Sequence, residues 1–334
     1  MKIETELNAD DRQLLAEATD GFVPPVVRDV HAHVLEPSGY APGTLGPHLD
    51  GQLLAPSTYR TAMDLLLPGR RLADAVLFPF PARRHDRPAV NRWMFDQLSV
   101  GAAGGATPPT HGLAIVGPAD DPGPAAAELA AGRCRGLKPY HLYAPLANTL
   151  HVGVEEFAPE WMWKLCDRHG AILMLHVMRD GAVDDPGNRE ALRRLSETYP
   201  RCQTVLAHIG RSFNHRTARG LARLVDLPNL WVDTSAITES ESFRCALETF
   251  GPRRILFGSD YPISHLRGRC VTVGTQFLWL YPETAAAERM TLVGIESLLA
   301  LREACTRLRL GADDVRAIFH DNAGRLLNQF HARS

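Results

Sequence analysis

A (β/α)8 barrel is the fold class this chain predicts, and three observations carry the prediction. Short apolar, strand-like runs alternate with amphipathic, helix-like stretches along the 334 residues, the pattern of repeated parallel βα units. Eight such runs are present, the number that closes a TIM-type barrel. Most are dominated by Val, Ile and Leu without polar alternation, as strands buried on both faces should be.

Taken in order, residues 1–25 read as an N-terminal helical extension: a helix over Ala9–Thr19, then Gly21 and Pro24-Pro25 as a stop. Residues 26–334 are assigned to the barrel, with no internal repeat and no second boundary. Its strands are expected over 26–34, 73–80, 111–117, 135–140, 171–178, 203–209, 230–235 and 254–260. The first runs into 35–56, a long loop rich in Pro and Gly. Helices fill the other gaps. The stretch 57–67 opens on a capping-type Ser57, 88–100 and 124–131 each start at a proline, and 160–169 stops at Gly170. Helical spacing returns over 188–199, 216–225 and 239–250. The run 101–109 is low in complexity and reads as a connection. Extra C-terminal helices are expected after the eighth strand, one long helix over 282–310 and a terminal one over 312–330 that starts at Asp313-Asp314.

The formal net charge is −2, with 22% charged and 45% hydrophobic residues. Such a balance offers a polyanion or an anionic membrane surface no basic patch, so neither nucleic acid nor membrane is an expected partner. No apolar run approaches the roughly 18 residues of a membrane span. The acidic, polar first dozen residues are unlike a signal peptide, so a cytoplasmic enzyme is expected. The six cysteines are scattered, with no Cys-x-x-Cys pair, and read as reduced thiols packed like small hydrophobes. The expected partners are a small molecule and, in a homo-oligomer, further copies of the chain.

Five side chains with metal-binding chemistry fall at the C-terminal ends of predicted strands: His31 and His33, then His176, His208 and Asp260. In a parallel barrel those ends open onto one face, where residues distant in sequence converge. His31 and His33 stand two apart and so share a face of their strand, within reach of one ion at the ~2 Å Zn–N distance. Taken singly, each histidine is as well explained as a core or surface residue, whereas Asp260 is harder to explain as a helix cap or the partner of an arginine. Jointly the five are not explained that way. A carboxylate ending an apolar strand is unfavourable to bury unless a cation meets it.

The segments Asp29-Val30-His31-Ala32-His33, Leu175-His176, Ala207-His208-Ile209-Gly210 and Phe257-Gly258-Ser259-Asp260-Tyr261-Pro262 resemble the metal-binding signatures of the amidohydrolase superfamily. The nearest branch is the amidohydrolase-related one that includes aminocarboxymuconate-semialdehyde decarboxylase and several lactonases. The closing Asn322-Ala323-Gly324-Arg325-Leu326 is similar to the Asn-Ala-x-Arg-Leu ending of that branch, and the likeness runs from 26 to 328. It implies that His31, His33, His176 and Asp260 ligate one divalent ion, zinc or else manganese. It also implies that His208 acts on the substrate as acid/base or electrophile. The chemistry agrees. A bound ion brings the pKa of a water toward ~7, Asp260 can accept and return a proton, and His208 can polarise a carbonyl.

Lys138 ends the fourth predicted strand and has two functional readings. The favoured one is a cation that meets substrate; the other is a carbamylated lysine bridging a second metal, as in binuclear relatives. A packed stem with a solvated head is the plain structural alternative. Tyr140, His141, Arg179, Arg211, His265 and Arg267 follow the same strand ends and are further candidates for substrate contact. Arginines suit bidentate carboxylate recognition, so a small anionic substrate is expected. Trp161, Trp163, Trp231 and Trp279 are assigned to packing. No nucleophile elbow, P-loop or dinucleotide fingerprint is present. The expected function is a metal-dependent hydrolase cleaving an amide, ester or lactone bond. A non-oxidative decarboxylase on the same metal site is the alternative, and a non-catalytic ligand-binding barrel the third.

Overall fold

The computed structural model describes residues 2–47, 49–103, 110–285 and 290–332. Its main sheet has eight parallel strands in the order β1 to β8. They are β1 Val26–Val34, β2 Arg71–Pro79, β3 Thr110–Val116, β4 Cys134–Pro139, β5 Ile172–Leu175, β6 Gln203–Leu206, β7 Leu230–Asp233 and β8 Ile255–Leu256. The sheet curls until β1 meets the segment after β8. There Val30 N–H donates to the Phe257 carbonyl (3.0 Å), Asp260 N–H to that of His31 (2.8 Å), and His33 N–H to that of Tyr261 (2.7 Å). The result is the expected (β/α)8 barrel, nearly closed.

Two apolar clusters follow from the period-two alternation of strand side chains. The smaller one fills the barrel and includes Val30, Val76, Phe78, Leu113, Met174, Val205 and Leu256. Ala323 and Leu326 of the C-terminal helix join it, so that helix plugs one end of the barrel. The larger cluster lies between the strands and the outer helices and takes Ala32, Val34, Leu77, Leu137 and Leu173. The register of β1 against β2 slips between Asp29 and Ala32. That irregularity changes the inward parity, putting both Val30 and His31 inside.

The strands β5, β6 and β8 stop earlier than the apolar runs suggest. Residues expected to extend them leave the sheet and turn toward the barrel mouth, with left-handed φ at His208 (56°), Ile209 (52°) and Asp260 (58°). Outer helices Pro56–Leu66, Arg87–Ala103, Pro122–Ala130, Glu160–His169, Pro186–Thr198 and Ser240–Phe250 fill most of the crossovers. The expected helix over 216–225 is a 3-10 stretch, His215–Arg223. The single helix expected over 282–310 is corrected to two pieces, Pro282–Ala285 and Val293–Arg307, the segment 286–289 lying outside the described residues. Most of the 101–109 connection also lies outside them. An antiparallel hairpin not anticipated from sequence, β9 Arg269–Val273 and β10 Gln276–Leu280, follows β8. Among the described residues no helix is long and apolar enough to cross a membrane.

Asn322 and Arg325 explain the closing motif physically. The Asn322 amide donates to the carbonyls of Ile255 (2.6 Å) and Pro252 (2.7 Å), and Arg325 donates to Asn322 Oδ1 (2.7 Å). The two-residue β8 thereby has its carbonyl satisfied from the C-terminal helix.

Candidate metal centre

His31, His33, His176, His208 and Asp260 line one cavity of about 230 Å³ at the barrel mouth. Its remaining wall is largely aromatic: Phe80, Tyr140, Phe213, Trp279 and Tyr281. His31, His33 and Asp260 each offer a ligand atom, and these atoms lie within 4.8 Å of one another. Nε2 of His31 and Nε2 of His33 are both 3.3 Å from Asp260 Oδ1. Two ligand atoms about 2.0–2.1 Å from a tetrahedral ion sit about 3.3 Å apart, so these separations fit the edges of a metal's coordination shell. Nδ1 of His33, Nδ1 of His176 and Nζ of Lys138 are buried with no hydrogen-bond partner among the described residues. Buried polar atoms left in that state ask for an ion, a water or a ligand. The residues present fit a divalent metal.

Neighbours fix how the imidazoles present themselves. Asp233, at the end of β7, lies with Oδ2 2.8 Å from His31 Nδ1 and takes a hydrogen bond from it. That leaves a lone pair on Nε2, the nitrogen facing Asp260. The other Asp233 oxygen accepts the His208 backbone N–H at 2.8 Å. Nδ1 of His208 donates to the Ser235 carbonyl (2.9 Å), which again leaves Nε2 the lone pair. Burial holds His33 neutral, with its pKa pulled down to about 4, and pushes His176 and His208 down as well. Burial opposes ionisation of Asp260, but the charges and hydrogen bonds of His31 and His33 outweigh it and hold the carboxyl well below its usual range. Asp233 is brought to about 2 in the same way, with burial overcome by His31. For His31 itself burial disfavours the charge, but Asp233 and Asp260 outweigh it and raise the pKa. Neutral His33 and His176 and an ionised Asp260 are the forms in which these groups bind metal.

A protein-family model described as amidohydrolase matches residues 29–329. The chain belongs to the amidohydrolase family. This family is metal-dependent, and its members include hydrolases and decarboxylases. No functionally curated protein matches the sequence. Among solved structures, the chain resembles an amidohydrolase with bound zinc from Burkholderia multivorans (16% identity, 91% of this chain and 99% of that chain covered, TM-score 0.56). It also resembles a putative 2-pyrone-4,6-dicarboxylic acid hydrolase from Pseudomonas putida (16%, 92% and 99%, 0.55). A third is 5-carboxyvanillate decarboxylase from Sphingomonas paucimobilis (17%, 91% and 99%, 0.57). At such identities the likeness speaks to the shared barrel.

Within this amidohydrolase barrel the remaining candidates separate into near and far. Tyr140 lines the cavity with its ring 5.0 Å from that of His176, and the His141 ring is 5.6 Å from it. Lys138 is 1% exposed, with Nζ 4.9 Å from the Phe78 ring centre; burial pulls its pKa to about 8 against the opposing pull of Asp233 and Asp260. Arg211 is half-buried, rests on the Phe277 ring at 5.2 Å and donates to the Arg179 carbonyl at 3.2 Å. Of the substrate candidates Tyr140 is the one among the residues that line the cavity, and Arg267, His265 and Arg179 meet other partners. Arg267 forms a two-pronged ion pair with Asp11 (2.7 and 3.0 Å) of the N-terminal helix. Buried His265 has Nε2 2.9 Å from the Ala62 carbonyl. Arg179 pairs with Asp185 at 3.0 Å. Each is spent on a structural partner.

Sequence reasoning passed over Asp233, Ser235 and, apart from Tyr140, the aromatic wall. Asp233 ends the apolar Leu230-Trp231-Val232 run just as Asp260 ends its own, so the signal was present. Trp279, assigned to packing, lines the cavity and stacks parallel to Tyr281 at 5.8 Å. Its hairpin delivers it there.

Proposed function

We propose that the chain is a metal-dependent hydrolase that opens an amide, ester or lactone bond of a small anionic substrate. The observation that carries this reading is the His31–His33–Asp260 cluster, in which both Nε2 atoms stand 3.3 Å from Asp260 Oδ1. The proposed cofactor is one divalent ion, zinc or manganese, held by these three side chains with His176 beside them. When bound, it supplies Lewis acidity and a nucleophilic water at neutral pH. Asp260, ionised at that pH, takes a proton from the attacking water and returns it to the leaving group. His208 Nδ1 stands 4.0 Å from Asp260 Oδ2, and its Nε2 is a second proton acceptor at the cavity. Once protonated there, His208 can donate to the developing oxyanion.

An anionic substrate is favoured by two cations. Arg211 has no ion-pair partner among the described residues, and its charge acts on both Tyr140 and His141. Lys138, carrying its charge beneath the cavity, adds to the positive field. Tyr140 forms part of the cavity wall, and His141 braces it.

The aromatic wall favours a second reading, decarboxylation of a flat, conjugated acid on the same metal site, since ring faces stack well on Phe and Trp. Product analysis in H2¹⁸O separates the two. Metal-loaded protein is screened against lactones, esters and amides of small acids and against aromatic carboxylic acids. The hydrolase reading expects one solvent oxygen in the product and no carbon dioxide. Carbon dioxide release with no solvent oxygen incorporated would overturn it in favour of the lyase.

A further inference from the structure

We infer that Asp29 is the positioning residue that keeps the two halves of the candidate metal centre in register; what it positions rests on the metal reading above, while how it does so does not. His31 and His33 belong to β1, whereas Asp260 belongs to the segment after β8. These halves meet at the closing seam of the barrel, its least regular joint. β8 is two residues long, and beyond it β1 meets the following segment through the isolated Ala32–Tyr261 bridge. The Asp29 carboxylate spans that seam. Its Oδ1 accepts the backbone N–H of His31 (3.0 Å) from one side and that of Ser259 (2.9 Å) from the other. Its Oδ2 accepts the Tyr59 hydroxyl (2.9 Å) from helix Pro56–Leu66.

These contacts call for a short side chain with an acceptor oxygen for a reason. The parity change that turns His31 inward takes its N–H to Asp29, and Ser259 N–H is held in the same way. One oxygen atom satisfies both, and the two donors belong to ligand His31 and to the neighbour of ligand Asp260. The seam is tight: a Cβ on Gly258 would lie 2.8 Å from His31 Cβ. Asp29 is 1% exposed and has no ion-pair partner among the described residues. A charged group buried so completely is tolerated for the hydrogen bonds it accepts. It does not line the cavity, so it acts through its neighbours and not on the substrate.

Loss of the staple should loosen His31 and Asp260 together. The test compares the parent protein with Asp29→Ala, Asp29→Asn and Tyr59→Phe. Two readouts are used: amide hydrogen exchange of peptides spanning 29–33 and 257–261 in metal-free protein, and zinc affinity by competition with a chromophoric chelator. Asp29→Ala should speed exchange in both segments, leave β3 to β5 protected, and weaken zinc binding about 10- to 100-fold, the usual range for partners behind metal ligands. Asp29→Asn keeps an acceptor oxygen for both N–H groups and should stay within about threefold of the parent on the same scale. Tyr59→Phe should fall between them. Unchanged exchange at the two segments in Asp29→Ala, or faster exchange throughout the barrel, overturns the inference. So does Asp29→Asn behaving as badly as Asp29→Ala, which would make charge and not position the operative property. Coupled exchange in a parent that binds no zinc would uphold the staple and sink the metal reading instead.

Discussion

His31 can ligate only through a nitrogen bearing a lone pair, and Asp233 secures that by taking the Nδ1 hydrogen bond at 2.8 Å. The same carboxylate holds the His208 backbone, so one buried residue orients two members of the site. The rule that found Asp260, a carboxylate ending an apolar strand, applied equally to Asp233. What hid its role was the partner: a hydrogen bond across 202 residues leaves no mark in local spacing. His265 is the opposite case. Its place five residues after Asp260 suggested substrate, but it is 0% exposed and bonded to the Ala62 carbonyl. Burial brings its pKa from 6.5 to about 4, so the folded chain keeps it neutral while the unfolded chain protonates it. Its contribution to stability is therefore full above pH ~6.5 and is lost as pH falls toward ~4, by about 3 kcal/mol in all. Chemical denaturation at pH 7, 6 and 5 should show a shallower acid loss for His265→Gln than for the parent. Equal slopes would mean that His265 titrates normally.

At the level of elements, the segment after β8 is braced from two sides. The N-terminal extension grips it through Asp11 and Arg267, and Glu4 N–H donates to the His265 carbonyl at 2.8 Å. Asp11 is nearly buried and also accepts from Thr291 (2.8 Å) and from its own helix cap, Asn8 N–H (3.0 Å). Arg267→Ala should therefore lower stability by about 1–3 kcal/mol, because it leaves a buried carboxylate short of its cation. Its KM for any substrate the protein turns over should stay at the parent value. A raised KM with an unchanged melting temperature would return Arg267 to the substrate. On the other side, the β9–β10 hairpin brings Trp279 over the cavity. The signal for that hairpin was legible: Gly274, at φ 60°, separates two strand-like runs, Arg269–Val273 and Gln276–Leu280. The early ends of β5 and β6 were not legible, since nothing in an apolar run marks where backbone leaves a sheet.

For the molecule as a whole, the barrel was readable because its rule is local and repeated: eight apolar runs, most of them followed by an amphipathic helix. The convergence of His31, His33, His176, His208 and Asp260 then follows from topology, since every strand end opens on one face. Substrate contacts were less readable, because arginines near strand ends in sequence find carboxylates of neighbouring loops in space, as Arg179 does with Asp185. The central claim is that this face holds one divalent ion. Elemental analysis of the purified protein, loaded with zinc or manganese and desalted, tests it most directly, with a His31→Ala/His33→Ala variant checked for folding beside it. The account predicts near one equivalent in the parent and almost none in the folded variant. A parent that retains no metal, or a variant that retains as much as the parent, would contradict it.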